Sequence, residues 1–146
     1  VCSSDLEIGV LEGGSIALWG NYFTKATKYC LDVNHHDGAA SYANQYDTNY
    51  VIGDAYSDNI VDSIPKMDLF IDDGPHTLES QIVAIEKYLP KMKKNGIFII
   101  EDVQEVEHLE ILKAKAIELF PSYNYELLDL RPVKNRADDL MFVAYT

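Results

Sequence analysis

The sequence predicts an α/β fold in which helices cover a doubly wound, mostly parallel sheet. Short apolar runs alternate along the chain with longer amphipathic stretches, which is the pattern of consecutive βαβ units. Residues 97–100 are apolar without interruption, as in a central strand of a parallel sheet. The chain has 146 residues, of which 47% are hydrophobic, so its size and composition suit a single domain over residues 1–146.

The first half of the chain is predicted to contain three strands and two helices. The turn formed by Glu12, Gly13 and Gly14 separates the first strand from the first helix, because glycine permits sharp turns. Ser15 is expected to cap that helix, since serine is a favoured N-cap residue. The predicted elements are a strand over residues 6–10, a helix over 15–27, a strand over 29–33, a helix over 38–45 and a strand over 50–53.

The second half is predicted to add two parallel strands and a closing antiparallel hairpin. The clearest helix covers residues 77–94, where Ile82, Ile85 and Leu89 recur at helical spacing. Pro90 predicts a kink or an early end of this helix, and Asn95 followed by Gly96 ends it at the latest. The other predicted elements are a helix over 57–64, a strand over 67–71, a strand over 97–100, a helix over 106–120 and strands over 125–130 and 140–145.

The charge and hydropathy of the chain exclude several classes of partner. With a formal net charge of -12 the chain repels a phosphate backbone, so we expect no nucleic-acid partner. Lys91, Lys93 and Lys94 form a basic cluster that we interpret as favourable charge at a helix C-terminus. No apolar stretch reaches the roughly 20 residues that span a bilayer, and no signal segment opens the chain. We therefore expect a cytoplasmic protein with no membrane partner.

The two cysteines, Cys2 and Cys30, predict neither a disulfide framework nor a metal site. Cys30 lies in an apolar strand pattern and is expected to be a buried free thiol. Residues 1–6 resemble a translated sequencing adapter more than natural protein. We expect either a fragment truncated at its N-terminus, inside the first strand, or a genuine short N-terminus. The oligomeric state stays open, a homo-oligomer included.

In open α/β sheets, ligands bind at the carboxyl ends of the strands, so the residues there are candidate site residues. Glu7, Gly9, Gly13 and Gly14 stand at the end of the first strand. The three residues between Gly9 and Gly13 differ from the dinucleotide spacing G-x-G-x-x-G. The acid at Glu7 suits a cationic ligand better than a pyrophosphate, which it would repel. The alternative is a tight turn that binds no ligand.

Single acids follow the second and third strands. Asp32 can accept hydrogen bonds from both hydroxyls of a ribose, or it can cap the next helix. Asp54 can bind the exocyclic amine of an adenine, or it can cap the helix that follows it. His35 and His36 lie in a polar loop after Asp32, where they can be solvated or contact a ligand, and of these we expect solvation.

The richest group of polar residues follows the fourth and fifth strands. Asp72, Asp73 and His76 follow the fourth strand, and Glu101 and Asp102 follow the fifth. Because these strands are predicted neighbours, four carboxylates and one imidazole converge on one edge of the sheet, where they need a cation or protons. Carboxylate oxygens favour Mg²⁺ or Mn²⁺. The alternative is a solvated acidic loop.

The strand-end residues resemble those of a known family, the metal-dependent O-methyltransferases of the macrocin and mycinamicin type, which modify macrolide sugars. The cephalosporin hydroxylase-like proteins are similar to this family. The resemblance extends from residue 7 to residue 146 and implies a Rossmann-like class I methyltransferase fold that binds S-adenosylmethionine. Its most specific part is Asp-Asp-Gly-x-His followed, about one helix later, by Glu-Asp. The segments that carry it are Glu7-Ile8-Gly9, Gly13-Gly14-Ser15, Ile71-Asp72-Asp73-Gly74 with His76, and Ile100-Glu101-Asp102.

The resemblance implies a role for each of these residues. Asp73, Glu101 and Asp102 would bind Mg²⁺ or Mn²⁺, and His76 would be the catalytic base beside Asp73. Pro75 stands where the family usually has serine, and proline fixes φ and removes a donor, so the orientation of His76 needs to be checked. The residues implied to bind S-adenosylmethionine are Glu7, Gly9, Gly13, Gly14, Ser15 and Asp72, with Asp32 at the ribose and Asp54 near the adenine.

The implied reaction is transfer of a methyl group from S-adenosylmethionine to a hydroxyl of a sugar or a glycosylated small molecule. One alternative is an NAD-type oxidoreductase on a similar sheet, against which the glycine spacing and Glu7 argue. Two others are a non-catalytic cofactor-binding remnant and the hydroxylase-like branch, which shares the motifs. Trp19, Tyr22 and Tyr56 are more simply interpreted as core residues than as an acceptor pocket.

Overall fold

The apolar runs form strands and the stretches between them form helices in a computed structural model, which describes residues 3–134 and 139–146. The strands are β1 (Ser4–Ile8), β2 (Thr27–Asp32), β3 (Thr48–Ile52), β4 (Met67–Asp72), β5 (Met92–Ile100), β6 (Asn124–Asp129) and β7 (Leu140–Tyr145). The helices are α1 (Gly14–Tyr22), α2 (Asp37–Gln45), α3 (Asp58–Ser63), α4 (Leu78–Tyr88), α5 (Val106–Leu119) and α6 (Arg131–Lys134).

The strands pair in the order β3-β2-β1-β4-β5-β7-β6. Strand β7 runs antiparallel to its neighbours β5 and β6, and the pairs among β1 to β5 are parallel. This confirms the predicted mostly parallel sheet with a closing antiparallel hairpin. The strand order reverses between β1 and β4, so loops leaving these two strands diverge and open a crevice at their carboxyl ends.

Helices cover both faces of the sheet, and each face has its own buried cluster. On one face Phe70 stacks on Phe98 and on Tyr88 of α4, with ring centroids 4.6 Å and 4.8 Å apart. Buried side chains of α3 and α5 complete this main core. On the other face Ile16 of α1 packs with Cys30 of β2 under α2. Burial of this apolar surface is the main stabilising contribution to the fold.

The start of α1 differs from the prediction that Ser15 caps it. Gly13 is the N-cap residue, with a left-handed φ of 84°, and no side chain caps the helix. A Cβ at Gly13 would lie 2.6 Å from the Cα atom of Ala39 in α2, so close packing of the loop on α2 requires glycine there. The helix also ends at Tyr22 rather than near Thr27, because the chain turns at Phe23 to enter β2.

The end of α4 differs from the predicted helix over residues 77–94. The helix ends at Tyr88, and a 3₁₀ turn over Leu89–Lys91 leads directly into β5. The early end expected from Pro90 is therefore confirmed. Asn95 and Gly96 do not stop a helix but lie inside β5, where its register with β4 shifts. The interpretation of the lysine cluster was consequently wrong, since Lys93 belongs to β5 and forms an ion pair with Asp68.

Cys30 is a buried free thiol, as predicted. Cys2 lies outside the described residues. The described part of residues 1–6 forms the start of β1, where Ser4 pairs with Thr27. Among the described residues, no helix combines the length and apolar character that crossing a membrane requires.

Candidate active site

A cleft of about 680 Å³ opens at the carboxyl ends of the parallel strands. This volume lies in the range of small-molecule and cofactor sites. Residues predicted from separate strand ends meet here, as expected for a doubly wound sheet. The predicted site residues that line the cleft are Gly9, Asp32, Asp54, Asp73, His76 and Asp102.

The remaining predicted site residues do not line this cleft. Glu7 and Asp72 are buried in β1 and β4 beneath its floor, with 7% and 2% exposure. Glu101 follows β5, and its N–H donates to the carbonyl oxygen of Asp72. The other three, Gly13, Gly14 and Ser15, lie at the start of α1. The roles given to these residues by the family resemblance stay predictions.

The glycine turn after β1 is required by packing. Gly9 has a φ of 83°, and a Cβ there would lie 2.0 Å from the carbonyl oxygen of Asp73. The end of β1 therefore packs directly against the turn after β4. Of the two interpretations that the sequence left open, the tight turn is present, and Gly9 lines the cleft as well.

Asp32 holds the glycine turn against the end of β2. Its Oδ2 atom accepts the N–H groups of Val10 and Leu11, each at 3.1 Å, and its Oδ1 atom accepts the N–H of Asn34 at 3.0 Å. The alternative that Asp32 caps α2 was wrong, because His36 occupies the N-cap position. An ionised carboxylate offers about four acceptor positions, so Asp32 retains capacity for a ligand hydroxyl.

His36 lines the cleft, contrary to the expectation that it is solvated. Its side chain is 21% exposed and lies between two carboxylates. The Nε2 atom is 3.7 Å from Oδ1 of Asp32, and the Nδ1 atom is 3.5 Å from Oε1 of Glu12. The spacing of four residues from Asp32 was the available signal. His35, by contrast, is 53% exposed and contacts the exposed Asp37.

Asp54 is exposed at the cleft and organises the turn after β3. Its Oδ1 atom accepts the N–H of Tyr56 at 2.9 Å. The alternative that Asp54 caps the following helix was wrong, because Ser57 is the N-cap residue of α3. Tyr56 also lines the cleft, although its sequence context favoured a core position.

Asp73, His76 and Asp102 meet at the edge of the cleft. The Nε2 atom of His76 lies 3.0 Å from Oδ1 of Asp73, and ligand atoms of all three residues lie within 4.8 Å of one another. His76 and Asp102 both adopt left-handed backbone conformations, with φ of 58° and 49°, which non-glycine residues rarely do. Such conformations concentrate at functional sites. Pro75 therefore does not prevent His76 from reaching the site.

The residue that stands with Asp73 and Asp102 in the structure is not the one that the family resemblance implies. The implied ligands were Asp73, Glu101 and Asp102, whereas the imidazole of His76 stands with Asp73 and Asp102. Glu101 is half-buried next to Asp102 in the chain. Sequence order cannot distinguish these arrangements, because the direction of each side chain depends on the turn conformation.

Burial and neighbouring charge shift several pKa values around the site. The hydrogen bond that His76 donates to Asp73 raises the pKa of His76 despite partial burial, and the charges of Asp73, Asp102 and Asp72 act in the same direction. Burial raises the pKa of Glu7 to about 7 and that of Asp72 to about 6. Of these three groups, His76 lines the cleft, whereas Glu7 and Asp72 are buried in β1 and β4.

Comparison with known proteins agrees with the fold and with these motifs. A family model described as a methyltransferase domain matches residues 6–103. The chain belongs to this methyltransferase family. Over 96 residues it is 27% identical to the 8-demethyl-8-alpha-L-rhamnosyl tetracenomycin-C 2'-O-methyltransferase of Streptomyces olivaceus. That match covers 63% of this chain and 24% of the relative, so the chain matches about a quarter of the length of this curated protein.

Solved structures share the fold of this methyltransferase domain. It superposes on the MycE methyltransferase of the mycinamycin biosynthetic pathway, solved with Mg and S-adenosylhomocysteine, with a TM-score of 0.72 and 20% identity, covering 98% of this chain and 44% of MycE. A methyltransferase from Pyrococcus furiosus gives a TM-score of 0.76 at 14% identity, covering 99% and 74% of the two chains. The domain therefore has the class I fold of S-adenosylmethionine-dependent methyltransferases.

Proposed function

We propose that this methyltransferase domain transfers the methyl group of S-adenosylmethionine to a hydroxyl oxygen of a sugar or a glycosylated small molecule, assisted by Mg²⁺ or Mn²⁺. The observation that carries the proposal is the meeting of Asp73, His76 and Asp102 in a cleft that Asp32 and Asp54 also line. A base and a cation-binding group beside a nucleoside site are what the transfer requires.

The cleft has groups suited to both the polar and the apolar parts of the cofactor. Asp32 has acceptor capacity for ribose hydroxyls, and Asp54 is exposed for an amine. Leu11 and Val33 line the same cleft with 69% and 68% exposure, and a bound nucleoside would cover this apolar surface. When bound, S-adenosylmethionine supplies an activated methyl group, so the contribution of the protein is alignment of the acceptor.

The donor set of the cleft fits a divalent cation. Carboxylates of Asp73 and Asp102 are the oxygen ligands that Mg²⁺ and Mn²⁺ prefer. Their spacing within 4.8 Å suits ligands around one ion. Glu101, next to Asp102, is a further proposed ligand. When bound, the cation would lower the pKa of an acceptor hydroxyl, which is otherwise a poor nucleophile.

His76 is the residue proposed to take the proton of that hydroxyl. Its Nε2 atom is held by Asp73, so Nδ1 is the ring nitrogen that remains to accept a proton in this conformation. The raised pKa of His76 makes the imidazole a stronger base. A positioned base typically contributes ~10²–10⁴-fold to a rate.

A neutral or glycosylated small molecule fits the charge of the domain better than a nucleic acid. The net charge is -12, and the proposed site itself is lined by carboxylates. The name of the tetracenomycin relative describes methylation of a rhamnosyl compound, and this supports a sugar hydroxyl as the acceptor here. Membership of the methyltransferase family favours methyl transfer over hydride transfer with a nicotinamide cofactor.

The proposal is tested by calorimetric titration of the chain with S-adenosylhomocysteine and with NAD, each with and without Mg²⁺. We expect S-adenosylhomocysteine to bind and NAD not to bind. A panel of glycosides assayed for methyl transfer then tests the acceptor. Binding of NAD alone would overturn the proposal, and failure to bind either ligand would point to a degenerate domain.

A further inference from the structure

Tyr56 connects two parts of the cleft that are separate in the sequence. It follows β3 beside Asp54, and its hydroxyl donates to Oδ1 of Asp72 at 2.7 Å. The same Asp72 oxygen accepts the N–H of Gly74 at 3.3 Å. A single carboxylate oxygen therefore joins the loop after β3 to the 73–76 turn, which carries Asp73 and His76.

The packing at this junction is close. A Cβ at Gly74 would lie 2.7 Å from the hydroxyl of Tyr56 and 2.9 Å from Oδ1 of Asp72. Asp72 is 2% exposed, and its second oxygen, Oδ2, has no hydrogen-bond partner within the described part of the chain. Tyr56 thus provides a strong donor to a buried carboxylate whose other oxygen is unpaired, and loss of this donor would be costly.

The segment that carries Tyr56 is itself fixed to α4. The ammonium group of Lys87 donates to the carbonyl oxygen of Tyr56 at 2.6 Å. The hydroxyl of Tyr88 donates to the carbonyl oxygen of Ala55, the preceding residue. The hydroxyl of Tyr56 is therefore held in a fixed position relative to the main core, which is the property needed to hold another segment in place.

We propose that Tyr56 is a positioning residue, whose hydroxyl acts through Asp72 to hold the 73–76 turn with Asp73 and His76 directed toward Asp102. The purpose of this arrangement rests on the proposed function, because the turn carries the proposed cation ligand and base. The contact between Tyr56 and Asp72 can be tested without any ligand. The positioning contact and the proposed function of the turn can therefore be refuted independently of each other.

The first test compares Tyr56→Phe with the matched control Tyr125→Phe. Both remove one half-buried tyrosine hydroxyl, but that of Tyr125 in β6 donates to the carbonyl oxygens of Ala116 and Phe120, and only Tyr56 contacts Asp72. Amide hydrogen exchange is measured by NMR for Gly74 in the turn and for Phe98 in the core. We expect Tyr56→Phe to reduce the protection of Gly74 about tenfold relative to Phe98, as loss of a hydrogen bond to a charged group implies. An unchanged ratio in Tyr56→Phe, or the same selective loss in Tyr125→Phe, would overturn the proposal.

The second test measures Mn²⁺ binding by EPR and S-adenosylhomocysteine binding by calorimetry in the same variants. A positioning role predicts about tenfold weaker Mn²⁺ binding in Tyr56→Phe. The S-adenosylhomocysteine affinity should stay within about twofold of the parent, because phenylalanine retains the aromatic ring. Tyr125→Phe should leave both affinities within about twofold. Equal Mn²⁺ affinity in Tyr56→Phe and the parent would overturn the link to the site. If the parent binds neither ligand, the proposed function fails, and the exchange ratio still decides whether Tyr56 positions the turn.

Discussion

The Nε2 atom of His76 lies 3.0 Å from Oδ1 of Asp73, three residues earlier on the turn after β4. The left-handed backbone conformation of His76 brings the ring back over the turn. A carboxylate that holds one nitrogen of an imidazole fixes its tautomer and stabilises its protonated form. The relationship suits His76 to act as a base with Asp73 as its orienting partner.

Replacement of His76 by alanine should separate cofactor binding from catalysis. We expect the His76→Ala variant to bind S-adenosylhomocysteine within about twofold of the parent and to lose ~10²–10⁴-fold in methyl transfer, the usual contribution of a general base. Calorimetry and a methyl-transfer assay measure the two quantities. His35→Ala is the control, because His35 is exposed and contacts Asp37 instead. Retention of full turnover in His76→Ala would exclude the role of base.

Replacement of Asp73 by asparagine should weaken cation binding. The variant removes the charge of one carboxylate in the group formed with His76 and Asp102, and Mg²⁺ and Mn²⁺ bind chiefly through carboxylates. We expect Mn²⁺ affinity, measured by EPR, to fall at least about tenfold. Methyl-transfer activity should be lost, and EDTA should not affect any activity that remains. Asp37→Asn, which changes a fully exposed carboxylate, is the matched control. Full activity of the parent protein in EDTA would contradict the cation assignment.

The sequence predicted which residues stand at the strand ends, because strand periodicity and the parallel topology decide that. It therefore located Asp32, Asp54, Asp73 and Asp102 at one edge of the sheet. The conformation of short turns was harder to predict, since it depends on long-range packing. Gly13 replaces Ser15 as the cap of α1 because the backbone of α2 lies against it.

The same limit explains which site residues were missed. His36 was expected in solvent because its loop is polar, yet it packs between Glu12 and Asp32, whose positions come from two other segments. Tyr56 packs against the main core, as predicted, but it also lines the cleft. This second position was missed because Asp72, the partner that draws its hydroxyl toward the cleft, is sixteen residues away in the sequence. Contacts of this kind are set by tertiary structure.

Glu7 should make the stability of the domain depend on pH. Burial raises its pKa in the folded state from 4.5 to about 7, so the folded state binds more protons than the unfolded state between these values. The contribution of Glu7 to stability is then greatest below about pH 4.5 and falls as the pH rises to about 7, by up to about 3 kcal/mol. Glu7→Gln removes this titration, so the variant should gain stability over the parent as the pH increases.

Urea denaturation at pH 5 and pH 8 measures this difference for Glu7→Gln. Glu110→Gln, which changes an exposed carboxylate on α5, is the control and should keep the pH dependence of the parent. If the difference in free energy of unfolding between the parent and Glu7→Gln is the same at pH 8 as at pH 5, Glu7 is not the source of the pH dependence.

Gly9 and Gly14 offer a test of whether the glycine turn is needed for the fold. Gly9 has a left-handed φ of 83°, and a Cβ there would lie 2.0 Å from the carbonyl oxygen of Asp73. Gly9→Ala must therefore displace the turn after β4, and we expect a loss of about 3 kcal/mol or more in the free energy of unfolding. Gly14 begins α1, and an added Cβ meets no atom within 4 Å.

Gly14→Ala should accordingly be neutral, or stabilising by up to about 1 kcal/mol, because alanine favours the helix and restricts the unfolded chain. Thermal and urea denaturation compare the two variants. Because the atom that Gly9→Ala displaces belongs to Asp73, this variant should also lose Mn²⁺ affinity, whereas Gly14→Ala should retain it. If the two variants are similarly stable, the turn accommodates a side chain at Gly9. The close packing of β1 on the turn after β4 then does not require glycine at this position.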